Sequence, residues 1–387
     1  MTVVPITTTD ALAAFCESQA GSSFITVDTE FVRESTYYPQ LCLVQVAGDT
    51  DAAAIDTVAE GLDLEPLFAL LRKPDLLKVF HAARQDLEIF YTLMGAVPAP
   101  VFDTQVAAMV LGFGDQVGYE VLVNKILDLS VDKSSRFTDW ARRPLTERQI
   151  DYAMADVDHL RPIYEELRRR LDENGRAHWL TEEMRVLTAA DTYRNEPEDA
   201  WQRLKARGLK PRPLAVLQKV AAWREREAQR RNTPRNRVIR DDTLLDIAGS
   251  MPKTADDLRR IRGLGKNVPE GRMGPEILAA VQEALDIPRE DLPKVKRREQ
   301  PPIGIGPITE LLKVLLKATC DREGIATRLI ATADDLEKLA MDDEADIQAL
   351  HGWRRELFGE DALNLKHGRL ALTVGRNSVK VMPVSDV

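Results

Sequence analysis

Cysteine is scarce in this chain. Three in 387 residues, Cys16, Cys42 and Cys320, lie far apart and form no metal-spaced pair. That excludes a thiolate zinc centre and a disulfide scaffold, and it suits a reducing compartment, the cytoplasm. Long apolar runs are missing too. No stretch reaches about 18 residues, so no transmembrane helix is expected. The N-terminus MTVVPITTTDALAAFCESQAG has no basic region and carries Asp10 and Glu17, which argues against a secretory signal. A positive balance is absent as well, since the formal charge is −9, which at first sight disfavours a polyanionic partner.

What is present qualifies that last point. The residues are 44% hydrophobic and 30% charged, as in globular proteins, and 387 of them suggest two or three domains. The charge is segregated. Between Trp201 and Arg240 there are 13 basic residues, Arg207, Arg230, Arg231 and Arg235 among them, and only Glu225 and Glu227 oppose them, a local excess of +11. Local charge, not the chain total, sets the field that a partner meets.

The organisation follows from periodicity and punctuation. Residues 8–20 read as a helix capped by Thr8 or Thr9, with Leu12 and Phe15 on one face. FITVDTEFV (24–32), LCLVQVA (41–47) and AAAID (52–56) read as three strands of an antiparallel meander. A helix over 61–73, a short strand LLKVF (76–80), a helix over 81–95 ending at Gly95, a strand VFD (101–103) and a helix stopped by Gly112 follow. Asp103 suits the cap of that last helix. Further helices are expected at 118–128, 146–172 and 175–190. The pattern is an α/β domain, a mixed sheet with flanking helices, over 1–192. Helical segments then occupy 201–285 and 308–360. They are separated by the proline-rich linker 286–307, and LALTVGRNSVKVMPV at the end reads as a short hairpin.

The chemistry centres on FITVDTEFV. Asp28 and Glu30 stand two residues apart, so a strand turns both carboxylates to one face, about 6.5–7 Å apart along the chain. Two unpaired anions in an apolar run repel each other and are costly to desolvate. A divalent cation resolves both problems. Asp86 on the 81–95 helix, and Asp156 one turn after Tyr152 in YAMAD, are the further acids. Four carboxylates are hard ligands suited to Mg²⁺ or Mn²⁺, and a two-metal site serves phosphodiester cleavage.

Three ordered segments carry a resemblance: VDTEFVRESTYYPQLCLVQVA, KVFHAARQDLEIF and RPLTERQIDYAMADVDHL. The chain resembles the ribonuclease D family, in the tyrosine branch of the DEDD superfamily of 3′→5′ exonucleases. The resemblance implies a ribonuclease H-like fold and two divalent cations. By the same resemblance Asp28 would bridge both, Glu30 and Asp156 would complete the site that activates water, Asp86 would serve the second ion, and Tyr152 would hold the attacking water. Candidate substrate contacts are Phe31, Tyr37, His81 and Trp140. The last lies in the loop SSRFTDWARRPLT, either stacking a terminal base or filling the core. The segment 201–285 resembles an HRDC domain, with Arg230, Arg231 and Arg235 as candidates for phosphate contact. Residues 308–387 resemble a second, diverged HRDC-like domain.

The function so implied is a metal-dependent 3′→5′ exoribonuclease that releases nucleoside 5′-monophosphates. Its expected substrates are single-stranded 3′ ends of structured RNA, such as tRNA precursors with 3′ extensions. It is expected to act as a monomer, with no membrane partner. A 3′→5′ DNA exonuclease of the proofreading or repair kind would use the same acids, since nothing in them reads a 2′-OH. A non-catalytic nucleic-acid-binding scaffold is the other alternative, and the presence of all four acids argues against it.

Overall fold

In the computed structural model, five strands form one mixed sheet in the order β3-β2-β1-β4-β5. They are β1 (Phe24–Val32), β2 (Gln40–Ala47), β3 (Ala52–Ile55), β4 (Leu77–Phe80) and β5 (Val101–Asp103). The structure describes residues 4–132, 135, 138–206, 208–294, 302, 304–376 and 378–384. Arg207 of the basic run, part of the SSRFTDWARRPLT loop and much of the proline-rich linker lie outside the described residues.

β1 pairs antiparallel with β2, and β2 with β3, which is the meander that the turn residues imply. β1 then pairs parallel with β4, but only through Phe24, Ile25 and Thr26. Asp28 and Glu30 therefore lie on a length of β1 that β4 no longer covers. That open edge leaves room for side chains arriving from helices.

The first helix, α1 (Thr9–Gln19), is capped by Thr8 and buries Leu12 and Phe15. It is followed by α2 (Glu65–Leu71), α3 (Arg84–Met94), α4 (Thr104–Val110), α5 (Tyr119–Leu122), α6 (Glu147–Glu173) and α7 (Ala177–Leu187). Gly95 ends α3 at φ 69°, a left-handed conformation that glycine adopts without the clash a side chain would bring. α6 opens with a capping box in which Thr146 and Gln149 satisfy each other's backbone N–H groups.

Periodicity places the start of α3 at residue 81, but the helix begins at Arg84. The carboxylate of Asp103 accounts for the difference. It accepts the N–H groups of Ala82 at 3.0 Å and Ala83 at 2.9 Å, holding residues 81–83 in a turn, with Ala82 at φ 56°. The same carboxylate caps α4 through Gln105 N at 2.8 Å.

Beyond the sheet, α8 (Pro211–Arg230), α9 (Arg235–Val238), α10 (Asp241–Ser250), α11 (Ala255–Arg259) and α12 (Met273–Leu285) surround a core of their own, built on Leu217, Val220, Ile247 and Ile277. From the first domain, Tyr38 of the β1–β2 loop packs against that core and Tyr37 of the same loop joins it. The Tyr37 hydroxyl bonds the Glu225 carboxylate, and Arg235 donates to Glu225 through Nε and Nη2, both at 2.6 Å. Asn232 Oδ1 accepts the N–H groups of Tyr37 at 3.1 Å and Tyr38 at 3.0 Å. Burial opposes the Glu225 charge, but Arg235, Tyr37 and Arg203 hold its carboxyl below the ordinary range.

The C-terminal helices, led by α13 (Ile305–Glu323) and α14 (Ala333–Met341), share the core of the sheet domain instead of enclosing one apart. Trp353 stacks on Trp179 of α7 with ring centres 4.3 Å apart and planes 10° from parallel. Arg354 bonds Glu183, and the Ala326 N–H donates to Met109 O at 3.0 Å. Gly112, at φ 75°, lies so close to Gly324 that a Cβ would stand 2.3 Å from its carbonyl oxygen. The closing hairpin pairs β6 (Leu370–Val374) with β7 (Val379–Pro383).

The Tyr37–Glu225–Arg235 knot is the point at which the second domain grips the loop behind the acids. Glu225→Ala leaves Arg235 and the Tyr37 hydroxyl without their shared acceptor in a buried seam. A loss of about 3–5 kcal/mol is expected, the usual range when one partner of a buried pair is removed. Urea unfolding checks it, with limited proteolysis around residues 193–197 reporting release of the second domain.

Candidate active site

The strand alternation of β1 turns Thr26, Asp28 and Glu30 to one face of the sheet, and α6 packs on that face. Val157 and Ala153 of α6 meet Leu43 and Ala47 there. Oxygen atoms of Asp28, Glu30 and Asp156 come within 4.8 Å of one another.

α6 is held at the turn that carries Asp156. Thr26 Oγ1 donates to Val157 O at 2.9 Å. Tyr119 Oη lies 2.7 Å from Asp156 O and 3.1 Å from Ala155 O. Side chains from β1 and α5 thus fix three consecutive carbonyls of one helical turn. His81 packs edge-on against Tyr119 with ring centres 5.5 Å apart, and its Nδ1 lies 3.0 Å from Thr104 Oγ1. Thr104 Oγ1 donates to Phe80 O, so it accepts from the histidine. Burial pushes the imidazole down to about 4, which leaves it neutral near pH 7.

Asp86 stands apart from the trio. It accepts a hydrogen bond from Thr29 Oγ1. Thr29 leaves β1 on the opposite face from Asp28 and Glu30, so Asp86 reaches the open edge from the other side of the sheet. It remains within electrostatic reach, since burial and then the Asp28 charge raise its carboxyl well above the usual range.

The crowding leaves a clear signature. Burial raises Asp28 to about 6. Burial, then Asp28, Asp156 and Asp86 in turn, raise Glu30 to about 10. Burial and the carboxylates of Asp156, Glu30 and Asp28 also raise the Tyr152 phenol, so it stays protonated and offers a donor. The donor set is all oxygen, the chemistry of a hard divalent cation.

The other expected contacts scatter. Trp140 is 3% exposed and sits in the core beneath α6, its ring centre 6.2 Å from that of Tyr152. Phe31 is half-buried against the sheet core. Tyr37 and Arg235 are engaged at the domain seam described above. Arg230 pairs with Glu227 at 2.9 Å, Arg231 approaches the same carboxylate at 3.7 Å, and Arg272 also bonds it.

This corrects the charge reading of residues 201–240. Folding brings acids from outside that window against it: Glu198 to Arg226, Asp241 to Arg224 at 2.7 Å, and Glu283 to Lys219 at 3.2 Å. The arm is basic, but less so than its local sequence implies. Sequence reading also missed Tyr119 and Thr26. Their contacts join residues 37 and 131 positions apart, and no local pattern signals them.

Residues 3–172 match the family model of a 3′-5′ exonuclease, and residues 214–281 match that of the HRDC domain. Ribonuclease D of Nitrobacter hamburgensis is 52% identical over 97% of this chain and 98% of its own. Ribonuclease D of Acidiphilium cryptum is 51% identical over 98% and 97%. The crystal structure of Escherichia coli RNase D, described as an exoribonuclease involved in structured RNA processing, superposes with a TM-score of 0.83. It is 34% identical and covers 95% of this chain and 99% of that one. The class is therefore a 3′→5′ exonuclease carrying an HRDC domain. The chain belongs to the ribonuclease D family, and it is a 3′→5′ exoribonuclease.

Two outcomes follow from this geometry. The carboxylates have folded pKa values above their unfolded ones, so between those limits the native state binds more protons than the unfolded chain. Stability of the metal-free protein then falls as pH rises, from about 4 upward through 6 for Asp28 and further for Glu30. Thermal midpoints in chelator from pH 5 to 8 should decline, and Glu30→Gln should flatten the slope. Tyr119→Phe removes the donor to the Asp156 turn and should cost about 1 kcal/mol by urea unfolding, with a drop in kcat.

Proposed function

We propose that the protein removes nucleotides one at a time from the 3′ ends of structured RNA, tRNA precursors with 3′ extensions among them. On this reading it uses two divalent cations, Mg²⁺ or Mn²⁺. The observation that carries the proposal is the crowding of the Asp28, Glu30 and Asp156 oxygens within 4.8 Å. Such crowding is unfavourable for the bare protein and has its natural complement in positive charge. Asp28, Glu30, Asp86 and Asp156 would hold the ions. When bound, the cations supply an acidified water and compensate the charge that develops on the phosphate.

The chain's own residues do the rest. Asp28 is the acid common to both sides of the site, because it is the largest charged influence on Glu30 and on Asp86 alike. That supports its role as the shared ligand. Tyr152, protonated and one turn before Asp156, orients the attacking water, a role in keeping with the tyrosine branch of the superfamily. Water attacks the terminal phosphorus, the bond to O3′ breaks, and a nucleoside 5′-monophosphate leaves.

The reading divides the chain into an exonuclease domain over 1–192, an HRDC domain over 201–285 and a second, diverged HRDC-like unit over 308–387. The acidic first turn of α14, Asp334 and Asp335, suits the last unit to packing better than to RNA contact. We take the protein to be a cytoplasmic monomer. Its cysteines, all free and buried, fit a reducing compartment. No helix among the described residues is long and apolar enough to cross a membrane.

The test uses 5′-labelled RNA with a 3′ extension, alongside a DNA of the same sequence, with Mg²⁺, Mn²⁺ or chelator. Stepwise shortening of the RNA from its 3′ end that stops in chelator is expected. Shortening from the 5′ end, or activity that survives chelation, overturns the reading. Asp28→Asn should bring turnover to background while raising the thermal midpoint in chelator, because it removes a repelling charge. Tyr152→Phe should lower kcat on the order of 10²-fold, the scale of a misplaced reactant.

A further inference from the structure

Gln45 of β2 lies directly opposite Asp28 in the β1–β2 register. Directly opposed residues of an antiparallel pair project to the same face, with Cβ atoms about 4.5–5.5 Å apart. The neighbouring pairs agree: Glu30 opposes Leu43 and Thr26 opposes Ala47, and Leu43 and Ala47 pack beneath α6. Gln45 therefore stands between them on the face that receives Asp156. It is 0% exposed, and neither its Nε2 nor its Oε1 has a hydrogen-bond partner.

An amide in that state is expensive. An unsatisfied buried polar group forfeits the hydrogen bonds it made to water, whereas an apolar side chain of similar size loses nothing of the kind. The flanking Leu43, Val44 and Val46 show that the strand accepts apolar residues throughout. Asp28 is the complementary case. Burial dominates its surroundings, and the backbone N–H of Thr29 is the favourable contact set against it. An ionised carboxylate has about four lone-pair sites and so accepts further donors. A donor lacking an acceptor thus faces an acceptor short of donors.

We propose that Gln45 is a positioning residue for Asp28, its Nε2 donating to the carboxylate when Asp28 is engaged with a divalent cation. The proposal rests on the reading of Asp28 as a metal ligand. The amide holds the carboxylate in one rotamer and leaves its remaining lone pairs directed to the ion. Hydrogen-bond partners of metal ligands typically contribute 10–100-fold to metal affinity. Gln45 makes no contact with substrate in this account and acts through Asp28 alone.

The experiment is calorimetric titration of the full chain with Mn²⁺ in the absence of RNA. It compares the wild type, Gln45→Met, Gln45→Leu and Asp28→Asn, each with its thermal midpoint in chelator. Gln45→Met keeps the volume and removes the amide. Mn²⁺ affinity is expected to fall 10–100-fold with the metal-free midpoint unchanged or raised, since a buried unsatisfied amide is gone. The Mn²⁺ concentration for half-maximal activity should shift upward by the same factor. Gln45→Leu gives the same readout should the methionine variant pack poorly. Wild-type Mn²⁺ affinity in either folded variant overturns the proposal, because a residue that only fills the core would leave metal binding untouched. Asp28→Asn separates the two levels. If it binds Mn²⁺ as the wild type does, the ligand reading itself falls and takes this proposal with it. If it loses binding while Gln45→Met keeps it, only the role of Gln45 is lost.

Discussion

Mutual repulsion of carboxylates at the open end of β1 is the constraint around which the rest is arranged. Asp28, Glu30 and Asp156 would separate if the backbone let them, since each raises the cost of ionising its neighbour. The backbone does not let them. Asp28 and Glu30 share a strand that is paired with β2 through this stretch, and Asp156 sits on a helical turn whose carbonyls are bonded by Thr26 and Tyr119. Asp103 performs the matching task for Asp86 by fixing the turn from which α3 departs. The scaffold thus spends hydrogen bonds on holding apart-tending charges together, and the repulsion is relieved by protonation or by a cation. A site built this way is organised before any cation binds.

The two accessory units attach where they bear on that site. The second domain closes on the β1–β2 loop through Tyr37 and Tyr38, a few residues beyond Glu30. Arg33, in the same loop, makes a two-point ion pair with Glu88, which follows Asp86 on α3. On the other side, Thr327 and the backbone of Arg328 donate to Asp115, in the loop leading to Tyr119. One unit therefore touches the loop that follows Glu30, and the other the loop that leads to Tyr119, which bonds the turn of Asp156.

The legible parts of the sequence were those with a local period. The DxE strand, the Tyr152–Asp156 turn and the meander follow from spacings of two, three or four residues, Asp103 caps the helix it precedes, and of the two threonines offered for the first cap Thr8 is the one used. What stayed hidden depends on tertiary approach. Asp86 reads as a fourth member of one cluster, yet it enters from the opposite face through Thr29. The segment beyond residue 308 reads as separate, yet Leu312, Leu316 and Trp353 complete the core of the sheet domain. Tyr37 reads as a candidate base-stacking aromatic beside the first motif, and it serves as a rivet to the next domain.

The basic arm shows how the same limit bears on RNA binding. Counting charges along residues 201–240 treats Glu225 and Glu227 as two weak offsets among many arginines. In space they are hubs, with side chains 0% and 4% exposed, on which Arg203, Arg235, Arg230, Arg231 and Arg272 converge. A phosphate cannot simply replace Glu227 as the partner of Arg230, because a carboxylate so buried has no water to turn to. It can add to the pair. A guanidinium has five N–H donors in a fixed fork, and Arg230 commits only Nε and Nη2 to Glu227. Its side chain is 58% exposed, so the remaining edge faces solvent, held in place by the buried acid behind it. The pairing thus lowers the long-range field of the arm while ordering the groups that would meet a phosphate.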